Sequence, residues 1–139
     1  MELNYKCIRD ILLLIEQKQK LIITDSDNLV SHLEELDCTF FIDNLEKCPK
    51  EDVIYTLKKL SESNFLDAEV AKSNDNDIIE ITVYEMTYEG HQFLASIKNK
   101  NVWEKFLEAG KALDTFPLNI IASIAAGICE QAGKNILGL

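Results

Sequence analysis

Long apolar runs are missing from this chain. No stretch approaches the roughly 18 uninterrupted apolar residues that a membrane span needs, so no membrane-spanning helix is expected. The N-terminus has no basic region leading into an apolar segment and a small-residue cleavage site, so no secretion signal is expected either. Cysteines are few and scattered: Cys7, Cys38, Cys48 and Cys129, with no Cys-x-x-Cys pair. In a chain of 139 residues without a signal, they read as free thiols in a reducing compartment, which places the protein in a cytoplasm. Internal repeats and low-complexity segments are also absent.

Recognisable chemistry is missing too. There is no Gly-rich phosphate loop and no nucleophile elbow. His32, Cys38, Cys48 and His91 are the available pool of zinc ligands, and their separations fit no zinc spacing. Asp75 and Asp77 alternate as in some calcium loops, but the required Gly is missing and no bidentate Glu follows at the right distance. They read as a solvated turn. His91 has Glu89 two positions away, about 200° around a helix, so the two make no dyad there. His91 is expected to pack or hydrogen-bond where its helix meets a sheet. No metal, no cofactor and no enzymatic activity are expected.

Positive charge is scarce. Lys plus Arg number 14 against 24 Asp plus Glu, a formal net charge of -10. Nucleic-acid affinity comes largely from Lys and Arg neutralising phosphates, and none of the segments 1–60, 61–100 and 101–139 is net positive. The excess keeps a small protein soluble. Gathered on one surface, it would also engage a basic partner such as a nucleic-acid-binding protein.

What the chain does have is core-forming material, 47% hydrophobic residues, enough for one domain with a helical appendage. Asn4 can cap a helix over residues 5–18, with Ile8, Ile11, Leu12 and Ile15 on one face. Leu21–Thr24 reads as a short strand and Asp25–Asn28 as a turn. Residues 29–36 fit one helix or a segment that begins as a strand, broken by Asp37-Cys38-Thr39. A short helix follows, carrying Phe40, Phe41, Ile42 and Leu45 and ending near Cys48. Pro49 opens the next helix, over residues 50–63. Val53, Leu57 and Leu60 form its buried stripe, and Asp52, Tyr55, Thr56 and Lys59 fall on the other side. Residues 65–71 alternate as a half-buried strand, 72–77 form a turn, and 78–86 return as a second strand. Thr87 caps a helix whose Phe93, Leu94 and Ile97 face inward. A further helix starts at Val102 and stops near Gly110. Asp114–Pro117 lead into the last helix, residues 118–137, which is apolar on more than one face.

Helix, hairpin and helix in this order predict an α+β, mostly helical fold: a winged helix-turn-helix over residues 1–100. A C-terminal helical extension over 101–139 is expected to pack on that domain or form an oligomer contact. Trp103 and Phe106 are expected to pin the C-terminal helices to the core. Ile120, Ile124 and Ile128 are candidates for a homodimer contact.

The segment Thr87-x-Glu89-Gly90-His91-x-Phe93-Leu94, followed by Trp103-Glu104-Lys105, carries a family resemblance. With Cys7–Leu13, Val53–Leu60, Phe65-Leu66 and the closing Leu137-Gly138-Leu139, it resembles a family of phage and prophage proteins classed as a domain of unknown function. The resemblance implies a winged-helix fold and a phage or prophage source, with no enzymatic activity and no cofactor. It matches poorly between Leu21 and Lys50.

The expected function is binding without catalysis, with a protein as the partner. Asp52, Tyr55, Thr56 and Lys59 on the second helix and Asp75 and Asp77 at the wing tip are the candidate contacts. A basic, nucleic-acid-handling host protein is the expected target, and a counter-defence role fits the charge. The alternative is a DNA-binding regulator reading bases with residues 50–63. That helix has no Arg, and Lys50, Lys58 and Lys59 are balanced by Glu51, Asp52 and Glu62.

Overall fold

The computed structural model describes residues 1–24, 31–113 and 117–138. The expected turn at Asp25–Asn28, the Leu29-Val30 start of the next segment and the Asp114–Phe116 entry signal lie outside the described residues. The chain runs α1 (Tyr5–Lys18), β1 (Leu21–Ile23), β2 (Ser31–Leu33), β3 (Leu36–Asp37), α2 (Cys38–Asn44), α3 (Lys50–Glu62), β4 (Leu66–Lys72), β5 (Ile78–Met86), α4 (Tyr88–Ile97), α5 (Lys100–Leu113) and α6 (Leu118–Leu137). It is a mostly helical α+β protein with two small antiparallel sheets, β1-β2 and β3-β5-β4.

Local chemistry sets the helix starts. The Asn4 side chain accepts from the Lys6 and Cys7 amides and opens α1. Asp37 accepts from the Phe40 amide and opens α2, so it starts a helix where a break was expected. Pro49 precedes α3, and Glu51 and Asp52 lie in the first turn, where the helix dipole favours them. Asn64 takes a left-handed conformation (φ 63°) that ends the helix.

Residues 31–37 resolve the two readings in favour of strand. Leu33 pairs with Leu21, and Leu36 and Asp37 pair with Val83 and Thr82. At the C-terminal side, α5 runs past Gly110 to Leu113 and does not stop there. A helical Gly costs only about 1 kcal/mol, less than the packing of the preceding turns supplies.

One core cluster joins α1, α3, the three-stranded sheet, α4, α5 and α6. Phe106 is fully buried, edge-on to Tyr5 and stacked on Trp103. Arg9, the only arginine in the sequence, lies over the Trp103 ring with its guanidinium carbon 5.6 Å from the centroid. It also donates to the carbonyls of Ile97 and Lys98 at the end of α4. Trp103 and Phe106 thus pin α5 to α1 and α4.

The start of α4 packs directly on the chain end of α3. The Thr87 amide donates to the Phe65 carbonyl. The Thr87 hydroxyl donates to the Asn64 carbonyl and accepts from the Gly90 amide. Gly90 lies directly against the Phe65 backbone. A Cβ there would collide with the Phe65 carbonyl oxygen and sit 2.7 Å from Met86 Cγ. Gly90→Ala should therefore lower stability by about 3 kcal/mol, read as a fall in the thermal midpoint. An unchanged midpoint would show that the contact yields cheaply.

Two of the expected free thiols are not free. Cys7 and Cys48 form a disulfide, with Cα atoms 5.8 Å apart and a sequence separation of 41. It ties α1 to the turn before α3. A pair this far apart carries no spacing motif, so the sequence gives no sign of it. Cys38 and Cys129 remain free and half-buried. Thiol titration of the unfolded, unreduced protein should count two groups and, after reduction, four. Reduction should lower stability by about 4 kcal/mol, the loop-closure value for this separation. Four thiols without reductant would remove the bond.

Candidate functional site

The outer surface of α3 is largely neutralised by its own helix. Lys59 Nζ lies 2.9 Å from Glu62 Oε2, and Lys58 Nζ lies 3.9 Å from Glu62 Oε1. The hydrogen bond to Glu62 holds the Lys59 ammonium above its ordinary pKa. The same bond holds the Glu62 carboxyl below the usual carboxylate range. Lys59 also lies over the Tyr55 ring, 5.4 Å from its centroid. Asp52 accepts from the Asn4 side-chain amide and so joins the starts of α1 and α3.

Thr56 does not belong to this surface. It is fully buried, and its hydroxyl has no hydrogen-bond partner among the described residues. The reason is geometric: Val53, Thr56, Leu57 and Leu60 together make the i, i+3, i+4, i+7 stripe, and all four are buried. Of the expected α3 contacts, Asp52, Tyr55 and Lys59 are accessible in part, and Thr56 is withdrawn.

The hairpin carries the opposite character. At its tip the Ser73 hydroxyl accepts from the amides of Asp75 and Asp77, and Asn76 is left-handed at φ 65°. Asp75 and Asp77 are both exposed. Behind the tip, Ile81 and Val83 point into the core while Thr82 and Tyr84 face outward. Asp67 pairs with Glu85 and Ala68 pairs with Val83, so Tyr84 is the extra residue of a bulge. Its hydroxyl donates to Glu69 at 2.7 Å. That bond, loss of solvent, and the charges of Glu69, Glu35 and Asp67 raise the Tyr84 pKa above the ordinary phenol value.

Six exposed carboxylates therefore gather on the outer side of the β3-β5-β4 sheet: Glu35, Asp37, Asp67, Glu69, Glu80 and Glu85. Asp67 and Glu85 stand directly opposite each other, a like-charge pair that costs stability. The hairpin's one basic residue is Lys72, at the far end of β4. The sequence reading missed this face. Its signal was the alternation of Asp67 and Glu69 with inward residues, obscured on β5 by the bulge at Tyr84.

His91 and Glu89 are exposed on α4. The expected packing of His91 against the sheet is thus not found, because Gly90 is the residue that faces it. Among the described residues no group of His, Cys, Asp and Glu could hold a metal ion. A groove of about 520 Å³ runs between α4 and α6, lined by Phe93, Gln92, Ser96, Asn119 and Ala122 among others. Among the described residues that line it, Glu89 is the one ionisable side chain. On α6, Ile120 is exposed while Ile124 and Ile128 are half-buried against the core.

A family model described as "Hypothetical protein (DUF2513)" matches residues 2–116. The chain belongs to that family. No curated protein and no solved structure matches it. The match takes in the fold from α1 to α5, with the acidic sheet face and the Gly90 junction, and ends two residues before α6. No described helix is long and apolar enough to cross a membrane.

The Tyr84–Glu69 bond gives the sheet face a spectroscopic reporter. The bond stabilises the protonated phenol, so Glu69→Gln should move the Tyr84 pKa down toward its ordinary value. Ultraviolet titration against a Tyr84→Phe control would read the shift. No change would separate Tyr84 from the acidic cluster.

Proposed function

We propose that the protein is a non-enzymatic winged-helix module that binds a basic protein through the outer face of its three-stranded sheet and the adjoining wing. With the separate β1-β2 pair set aside as an insertion after α1, the order α1-β3-α2-α3-β4-β5, with β5 between the other two strands of its sheet, supports the winged-helix reading. Fold alone does not choose between DNA and protein as the partner; charge does. A DNA-binding wing would bring positive charge to phosphates. Here the tip carries Asp75 and Asp77, and Lys58 and Lys59 of α3 are turned onto Glu62, leaving Lys50 at the start of the helix exposed.

The observation that carries the reading is the six-carboxylate face with Asp67 set opposite Glu85. Its repulsion is relieved when cations cover it. The energy lost in the free protein returns on binding a lysine- or arginine-rich surface, and attraction at a distance speeds the encounter. A phage or prophage source, as the resemblance implies, would make a host nucleic-acid-handling protein the target and counter-defence the purpose. The DNA-regulator alternative rests on the α2–α3 pair and the partial exposure of Tyr55 and Lys59 on α3.

A pull-down from host extract at low and high salt tests the reading. A basic protein should be captured at low salt and released as salt rises. Joint Asp67→Lys and Glu69→Lys substitution should abolish its capture. Fluorescence anisotropy with a mixed-sequence DNA duplex at low salt should show no binding. Tight duplex binding that weakens with salt and is lost in Lys59→Glu would overturn the reading in favour of the regulator.

A further inference from the structure

Two helix faces meet beside Phe65 without filling the space between them. On α4, Glu89, Gln92, Phe93 and Ser96 follow the i, i+3, i+4, i+7 spacing and share one face. On α6, Asn119, Ala122, Ser123 and Ala126 repeat that spacing. Both sets line the groove of about 520 Å³. The α6 side chains are short, so the space over the rings of Phe65 and Phe93 stays open. These two rings are buried, with centroids 5.3 Å apart, and form an apolar floor. The volume is that of a site for a small organic ligand.

The polar atoms of the groove are biased toward accepting. The Ser96 hydroxyl donates to the Gln92 carbonyl, and the Ser123 hydroxyl donates to the Asn119 carbonyl, one turn back in each helix. A hydroxyl has one proton, so both oxygens have only lone pairs left to offer. Glu89 adds a carboxylate, and among the described residues no cation pairs with it. This lining suits a ligand with positive charge, hydrogen-bond donors and an apolar body. A carboxylate or phosphate would meet repulsion from Glu89. A neutral apolar molecule would gain the floor alone. The net charge of -10 also raises the concentration of cations at the surface.

We propose that the α4–α6 groove is a binding site for a small amphipathic amine. Its ammonium pairs with Glu89, and its apolar body lies over Phe65 and Phe93. N–H or O–H groups along that body donate to the Ser96 and Ser123 oxygens. The site is built across the boundary of the family match: α4 lies within residues 2–116, and α6 begins after them. It shares no residue with the acidic sheet face and does not rest on the protein-binding reading.

Phenylbutylamine is the probe, with phenylbutanol and phenylbutyrate as its neutral and anionic counterparts. In amide NMR spectra of the isotope-labelled protein, the amine should shift the Gln92, Ser96, Ala122 and Ser123 resonances to saturation. The alcohol should bind more weakly and the carboxylate least. Glu89→Gln should weaken the amine about fivefold, the worth of an exposed ion pair, and leave the alcohol unchanged. Ala126 is exposed and Leu is a good helix former, so Ala126→Leu should keep the fold, fill the groove and abolish binding of both. Absence of amine shifts at millimolar concentration overturns the proposal, as does equal affinity for the three probes. So does amine binding untouched by Ala126→Leu. Shifts at Asp67, Glu69 and Glu80 in place of the groove would also overturn it, because they mark general attraction to negative charge.

Discussion

The backbone of Phe65 and the first turn of α4 touch with no side chain between them, and much of the fold is placed by that contact. Asn64 turns the chain out of α3 in a left-handed conformation. Its carbonyl and that of Phe65 are then taken up by the hydroxyl and amide of Thr87. The path α3–β4–β5–α4 is thereby closed at its two ends, as a hairpin alone would not be. With α4 fixed against the sheet, Phe93, Leu94 and Ile97 enter the core, Arg9 holds its far end, and α6 finds a surface to pack on. The Thr-x-Glu-Gly segment behind the family resemblance is accounted for by packing and capping, with no chemistry required.

Charge is distributed by the same economy of contacts. Arg9 is drawn onto Trp103 and the end of α4, Lys98 onto Glu16, and Lys58 and Lys59 onto Glu62. Cations that could have met phosphate are turned to internal partners. Among the described residues the carboxylates of the sheet form no ion pair; Glu69 accepts from the Tyr84 hydroxyl, whose pKa the charges of Glu35 and Asp67 also raise. The uncompensated sign of the molecule is therefore expressed on an exposed sheet face.

Elements whose causes are local were legible in the sequence. α3, the β4–β5 hairpin, the Thr87 cap and the last helix each carry their own periodicity and end signals, and each lies within a residue or two of its expected place. β2 and β3 were ambiguous because two- and three-residue strands have no period to read. Leu36 becomes a strand residue through Val83, far along the chain. Thr56 misled because it is polar, while its position on the helix is that of Val53 and Leu60. The Cys7–Cys48 bond and the acidic face share one reason for being missed: both arise from residues that only the tertiary fold brings together.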